Sequence, residues 1–372
     1  MTRRSLVPFL FAAFATLIAQ GQPKTAQPTL TPQNSGTTNG LIAVSPVNPQ
    51  VVWASGRNGT FTVTTDGGNT WKAGVVPGAE LLQFRDVEGV SAKVAYLQSI
   101  GVSGDPTDFR IYKTVDGGAT WSLQFVNQNP GAFYDCFAFW TPKKGISHSD
   151  SVAGVFPDLR TTDGKTWQSI SSNMPPALPG EGSFAASGTC VATQGGRNAW
   201  IATGASTIAR VLTTRDGGDT WNAYNTPLVS SPSAGGFSVA FRNPWNGIVG
   251  GGDLDPADPN NARTATSSDG GVTWSLTNPP PVTGAIFGLA YASGANGDGE
   301  DDDHSEHDRD GKSKSNHTVV VTANAGGAAW TPDEGNTWFT LPSVTGYWSV
   351  AFASPKAGWL VGVNGTILKI SF

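Results

Sequence analysis

Short runs of alternating apolar and polar residues fill most of the chain, separated by clusters of glycine, proline, asparagine and aspartate. A period of two is that of a β-strand with one face buried. The pattern is clearest between Leu41 and Val75: "LIAVS", a "PVNPQ" turn, "VVWASG", a short loop, "TFTVT", a glycine turn, then "WKAGV". That spells four short strands. The second strand repeats an aromatic at one position in four of the units, as Trp53, Tyr96, Trp200 and Trp359.

The glycine turn itself recurs. "TTDGGNTW" (64–71) is followed by "TVDGGATW" (114–121), "TTDGKTW" (161–167), "TRDGGDTW" (214–221), "SSDGGVTW" (267–274) and "TPDEGNTW" (331–338). The closing tryptophans stand 50, 46, 54, 53 and 64 residues apart, and the last interval holds a charged insertion over 297–316. A period near 50 residues with four strands per repeat predicts propeller blades. After the sixth turn the chain still writes "YWSVAFAS", "GWLVGV" and "GTILKI", three strands of a seventh unit that lacks its fourth. Residues 28–35, "PTLTPQNS", are the expected donor. The prediction is an all-β fold: one seven-bladed β-propeller over 22–372, of four-stranded antiparallel blades, its ring closed by an N-terminal strand joining the last blade.

Composition sharpens this. Charged residues are 14% of the chain and glycine is 47 of 372, a turn-rich, helix-poor balance. A net charge of -5 gives no general reason to expect nucleic acid. Arg3 and Arg4 precede an apolar run from Leu6 to Ala19 and small residues to Gly21, so 1–21 reads as a signal peptide and the protein as exported, periplasmic or extracellular. The run is short for a spanning helix, and no later segment suits one. A monomer is expected. Cys136 and Cys190 are the only cysteines, and they fall near the same depth in first strands of neighbouring blades. Two buried free thiols are the expectation, a bridge across the channel wall the alternative.

Within each turn the Asp carboxylate can accept backbone N–H bonds, glycine supplies positive φ, and the Thr or Ser hydroxyl can bond across the hairpin. Asp66, Asp116, Asp163, Asp216, Asp269 and Asp333 are therefore assigned to structure rather than catalysis. The pattern Ser/Thr-x-Asp-x-Gly-x-Thr-Trp resembles the Asp-box, or BNR repeat, of sialidases, sortilin-type receptors and photosystem II stability/assembly factor-like propellers. "FRDVEGVSAKVAYLQSIG", "FYDCFAFW" and "PPALPGEGSFAASGT" look most similar to the bacterial assembly-factor-like group. The resemblance implies that the boxes, between third and fourth strands, share one rim. It places ligand sites over the channel on the opposite rim, here called the loop rim.

Loops assigned to that rim hold Arg85 and Asp86, Tyr134 and Asp135, Asp150, Glu181, and Asp253, Asp255 and Asp258. Arg110, Arg210 and Arg263 each stand six residues before their box aspartates, and Arg160 stands three before Asp163. Such a partial ring could hold carboxylate or phosphate, because guanidinium presents a planar fork; pairing with acids of the same blade is the alternative. The ligand-binding candidates are thus Arg85, Arg110, Arg160, Arg210, Arg263 and Asp253. A glycosidase would draw on Asp86, Tyr134, Asp135, Asp150 and Glu181. The sialidase "Arg-Ile-Pro" signature is absent, "FRNP" at 241–244 being a partial echo on the box rim.

The insertion carries His304 and His307, with His317 beside it, among clustered acids. Its "EHDRDG" starts like a calcium loop, but His317 stands where the closing Glu belongs. No cofactor is expected, and a metal ion at 298–317 is the minority reading against a solvated tract. The favoured function is a non-catalytic propeller binding a protein or an anionic ligand or glycan on the loop rim; a sialidase-like glycoside hydrolase is the alternative.

Overall fold

The computed structural model describes residues 27–101, 104–255, 262–293 and 317–372. The leader at 1–21, the insertion at 297–316 and Asp258 lie outside the described residues. Seven antiparallel sheets of four strands follow one another, blade 1 running from Leu41–Pro46 to Lys72–Val75. Leu41–Pro46 packs against the first strand of blade 7, Tyr347–Ser354, as well as that of blade 2, Gln83–Gly89, so the ring closes. Thr29–Asn34 pairs with Thr366–Ser371 as the outer strand of blade 7, from Thr29 opposite Ser371 to Asn34 opposite Thr366. The expected donor strand closes the ring.

Burial falls from the inner and middle strands to the outer ones. Val52–Gly56 and Ala357–Gly362 are buried at every residue, because neighbouring blades cover both faces. Outer strands shrink to two residues in blades 3, 5 and 6, which leaves little free edge for another chain to pair with.

Large aromatic side chains join the blades. Trp53 donates its Nε1–H to Ser91 O of blade 2, Tyr96 its hydroxyl to Gly164 O of blade 3, Trp140 to Asn198 O of blade 4 and Trp200 to Gly270 O of blade 5. At the closure Gln33 Oε1 accepts from both Trp71 and Trp359, and its Nε2–H donates to Gly67 O of box 1. The box tryptophans fill the same seams: Trp121 of blade 2 meets Phe61 and Trp53 of blade 1 at 5.1 and 6.2 Å between ring centroids.

Each box is a closed hydrogen-bond unit. Asp66 Oδ1 accepts from the Thr70 amide at 2.9 Å and the Thr64 hydroxyl at 2.8 Å, Oδ2 from the Thr70 hydroxyl at 2.7 Å. Gly67 and Gly68 sit at φ 72° and 88°. The sixth box holds Glu334 at φ 55° in place of a glycine. Its carboxylate accepts from Arg242 Nε and the Tyr291 hydroxyl, both at 2.7 Å, contacts that compensate a conformation unfavourable for a side chain.

Cys136 and Cys190 form a disulfide with Cα atoms 5.9 Å apart. The expectation of free thiols is corrected: the two occupy equivalent positions in adjacent first strands, within bridging distance.

Two predictions follow from these contacts. Gln33→Ala leaves two indole N–H groups without their acceptor and should cost about 2 kcal/mol or more in urea denaturation. The Thr70 hydroxyl and amide, then the Thr64 hydroxyl, hold the Asp66 carboxyl down at about 2. With the folded value below the unfolded one, its contribution is complete above about pH 4 and is lost as pH falls towards 2. Asp66→Asn should therefore lower the urea midpoint near neutral pH, with a deficit that shrinks across that acid range.

Candidate functional site

The channel is lined by the first strand of every blade. In five of them the register with the second strand slips near the start: Leu41/Ala43, Phe84/Asp86, Tyr134/Cys136, Gly236/Ser238 and Tyr347/Ser349. A β-bulge takes one residue out of the ladder and re-aims its side chain. The bulged residues are Ile42, Arg85, Asp135, Phe237 and Trp348; by register, Thr189 and Phe287 hold the same place in blades 4 and 6. First strands start at the loop rim, so these residues gather at the channel end away from the boxes.

There they form a continuous aromatic circuit. Phe184 stacks on Phe237 at 3.8 Å and 3°, Phe237 meets Phe287 at 5.6 Å, and Phe287 stacks on Trp348 at 5.3 Å and 9°. The Arg85 guanidinium lies 5.9 Å from the Trp348 ring centroid, and its Nη1–H donates to Ala185 O at 2.8 Å, returning to the segment that carries Phe184. Phe237 is buried, whereas Phe184, Phe287, Trp348 and Arg85 are half-buried. Removal from water, then repulsion from Arg57, lowers the Arg85 guanidinium to about 10. Arg85 stays cationic at neutral pH with a single hydrogen bond to the protein.

The carboxyls around this mouth are occupied. Asp135 is buried and hydrogen-bonded to Asp150; burial first, then the Asp150 charge, push it well above the carboxylate range. The pair shares a proton, Asp135 donating, while Asp150 accepts from Ser183 N at 2.9 Å. Two carboxyls in direct contact are closer than either the retaining or the inverting glycosidase arrangement requires. Tyr134 donates its hydroxyl to Pro157 O at 3.0 Å, away from both. Asp86, fully buried, accepts from the amides of Val87 and Phe137. Glu181 is buried against Arg210, whose Nε meets Oε1 at 2.8 Å and whose Nη2 meets Oε2; Thr203 and the Leu178 amide fill the remaining acceptor sites. Asp253, half-buried at the end of the strand Gly247–Asp253, accepts from the Ser233 hydroxyl and the Asp255 amide.

Arg110 and Arg210 begin the third strands of blades 2 and 4, and Arg263 precedes that of blade 5, so the equivalence inferred from spacing is met. Their donors turn to their own surroundings. Arg110 bonds Thr107 O and faces Asp108 at 3.7 Å, Arg210 holds Glu181 and Pro176 O, and Arg263 bonds Val282 O, Gly284 O and Pro280 O. Arg160 lies apart from them, on the box rim, paired with Asp219 at 2.7 Å and Gly217 O. The structure therefore does not gather these four arginines into one anion ring.

Sequence reasoning selected Arg85 and Asp135 from the bulge ring and missed Phe184, Phe237, Phe287 and Trp348. A signal was present: "FSVAF" at 237–241 and "WSVAF" at 348–352 place an aromatic at one repeat position. It also missed the buried His148–Asp158 pair at 2.9 Å, which packs under Phe156. Among the described residues no group of His, Cys, Asp and Glu has metal-site geometry, and no helix is long and apolar enough to cross a membrane.

No family model and no curated protein matches the chain. Solved structures do. "YCF48 bound to D1 peptide" superposes with a TM-score of 0.61 at 16% identity over 94% of this chain and 96% of that one. YCF48 from Cyanidioschyzon merolae gives 0.59 at 16% identity over 92% and 98%. The Niastella koreensis GH74 enzyme gives 0.54 at 14% identity over 91% of this chain, but the match spans only 53% of the enzyme. What the chain shares with them is the seven-bladed architecture.

Glu181→Ala strands the Arg210 guanidinium in the protein and should cost about 3 to 5 kcal/mol in chemical denaturation. A variant as stable as wild type would return Glu181 to the catalytic candidates.

Proposed function

We propose that this protein is an exported, non-catalytic β-propeller that holds a segment of a partner protein on its loop rim, across the aromatic mouth of the channel. The observation carrying this reading is the half-buried circuit of Phe184, Phe287, Trp348 and Arg85 at the ring's axis. Aromatic faces and arginine are the side chains that contribute most per residue at protein interfaces. The guanidinium, bonded once within the protein, supplies donors for a carboxylate or a main-chain carbonyl of the bound segment.

Further support comes from the acids, each held by a protein partner, which leaves no poised nucleophile and base at the mouth. The structure of YCF48 bound to D1 peptide has the same fold over nearly the full length of both chains. Export rests on the charged and apolar leader, and the Cys136–Cys190 bridge suits an oxidising compartment. The glycoside hydrolase alternative draws on the GH74 likeness, which reaches about half of that enzyme.

The test is affinity capture from an envelope extract, with cross-links to the rim mapped by mass spectrometry. The Arg85→Ala/Trp348→Ala variant should lose capture by about tenfold or more while keeping its melting temperature. Undiminished capture by that variant, or turnover of any substrate in a glycan panel, contradicts the proposal.

A further inference from the structure

Beneath the aromatic mouth the channel widens into a cavity of about 310 Å³. Its wall reaches the strand turns of the box rim at Val47, Val90 and Pro142, and towards the other end it reaches Asp86, Ser187, Gly188 and Thr189, beside the aromatic circuit. Three residues after each bulge position the register puts one residue of every blade at the same level. Glu88 pairs with Tyr96 as Ala192 does with Trp200 and Ala351 with Trp359. Five of the seven positions are alanine, Ser45 is the sixth, and Glu88 is the seventh; all of them line the cavity.

The neighbouring blades demonstrate that the fold accepts a methyl group at this level. Glu88 instead places a carboxyl there, with no hydrogen-bond or ion-pair partner among the described residues. Glu88 is half-buried on the channel wall, where a carboxyl with no protein partner is less well hydrated than at the surface, and six other blades place none there. No lysine, arginine or histidine lines the cavity. Its other titratable groups are committed: Asp86, on the same strand, accepts two amides, and Tyr291 donates to Glu334. Across the sheet Tyr96 gives its hydroxyl to main-chain carbonyls and stays neutral, its ionisation raised to about 12 by burial.

We propose that Glu88 makes the channel a receptor for a primary alkylammonium group, which enters from the box rim, pairs with the carboxylate and lays its alkyl chain against the alanine ring. The proposal is independent of the partner-binding reading of the opposite rim. It carries a proton signature. Burial pushes the free Glu88 carboxyl up to about 8, so at neutral pH it is mostly protonated. Pairing with an ammonium favours the carboxylate, and association therefore releases the Glu88 proton to solvent, with affinity rising as pH approaches that value.

The experiment is calorimetric titration of the full chain with n-butylammonium at pH 7, in two buffers of different ionisation enthalpy, with n-butanol as the uncharged control. Wild type should bind the ammonium with release of about one proton. It should bind the alcohol about tenfold more weakly or worse. Glu88→Gln should bring the ammonium down to the level of the alcohol. Glu88→Ala, which copies five other blades, should do the same and guards against a folding defect in the first variant. Equal affinity for amine and alcohol, binding that persists in both Glu88 variants, or no ammonium binding would overturn the proposal and leave Glu88 a carboxyl hydrated by channel water.

Discussion

A propeller blade is a sheet with two apolar faces and cannot stand alone, so the fold depends on the seams between blades. Here the seams are held by the polar ends of buried aromatic side chains. The indole rings of Trp53 and Trp200 and the Tyr96 phenol bury their bodies against one blade and bond a carbonyl on the next, in two cases within its glycine turn. Each contact combines apolar burial with a directional bond, and the bond fixes the rotation of one blade relative to its neighbour. The box is stiff enough to act as the receiving part because its aspartate satisfies several donors within one turn. The last seam differs: its strands come from opposite ends of the chain, and Gln33 ties three elements at one point.

Once the ring is closed, its axis becomes the place where seven chain segments converge. First strands carry the residues that meet there, and their bulges decide which side chains turn towards the mouth. The same repeat position that holds Ile42 in blade 1 holds Arg85, Asp135, Phe237 and Trp348 in others, so symmetry of the backbone and asymmetry of the side chains coexist. The stable rim carries the boxes, and the varied side chains collect at the other end and along the channel wall. Glu88 among alanines and Arg85 among aromatics are two such departures from the repeat.

The blade count and the closing strand could both be read from the residues. They depend on local patterns, an alternation of period two and a turn motif of fixed chemistry, and six of the seven blades write both within about fifty residues. The equivalence of Arg110, Arg210 and Arg263 was also legible, because spacing to the box counts positions along one strand. What those arginines bond was not. Arg210 meets Glu181 and Arg160 meets Asp219, partners 29 and 59 residues away that only packing brings together.

The sequence by itself determined the repeating unit, since strand periodicity and turn chemistry act over neighbouring residues. Tertiary structure decided the rest. Whether Cys136 and Cys190 bridge depends on the Cα separation across a blade seam, and whether Asp135 and Asp150 act apart or share a proton depends on a contact between a strand start and a loop. The aromatic circuit and the lone Glu88 are visible only when seven segments, each unremarkable alone, are brought to one axis.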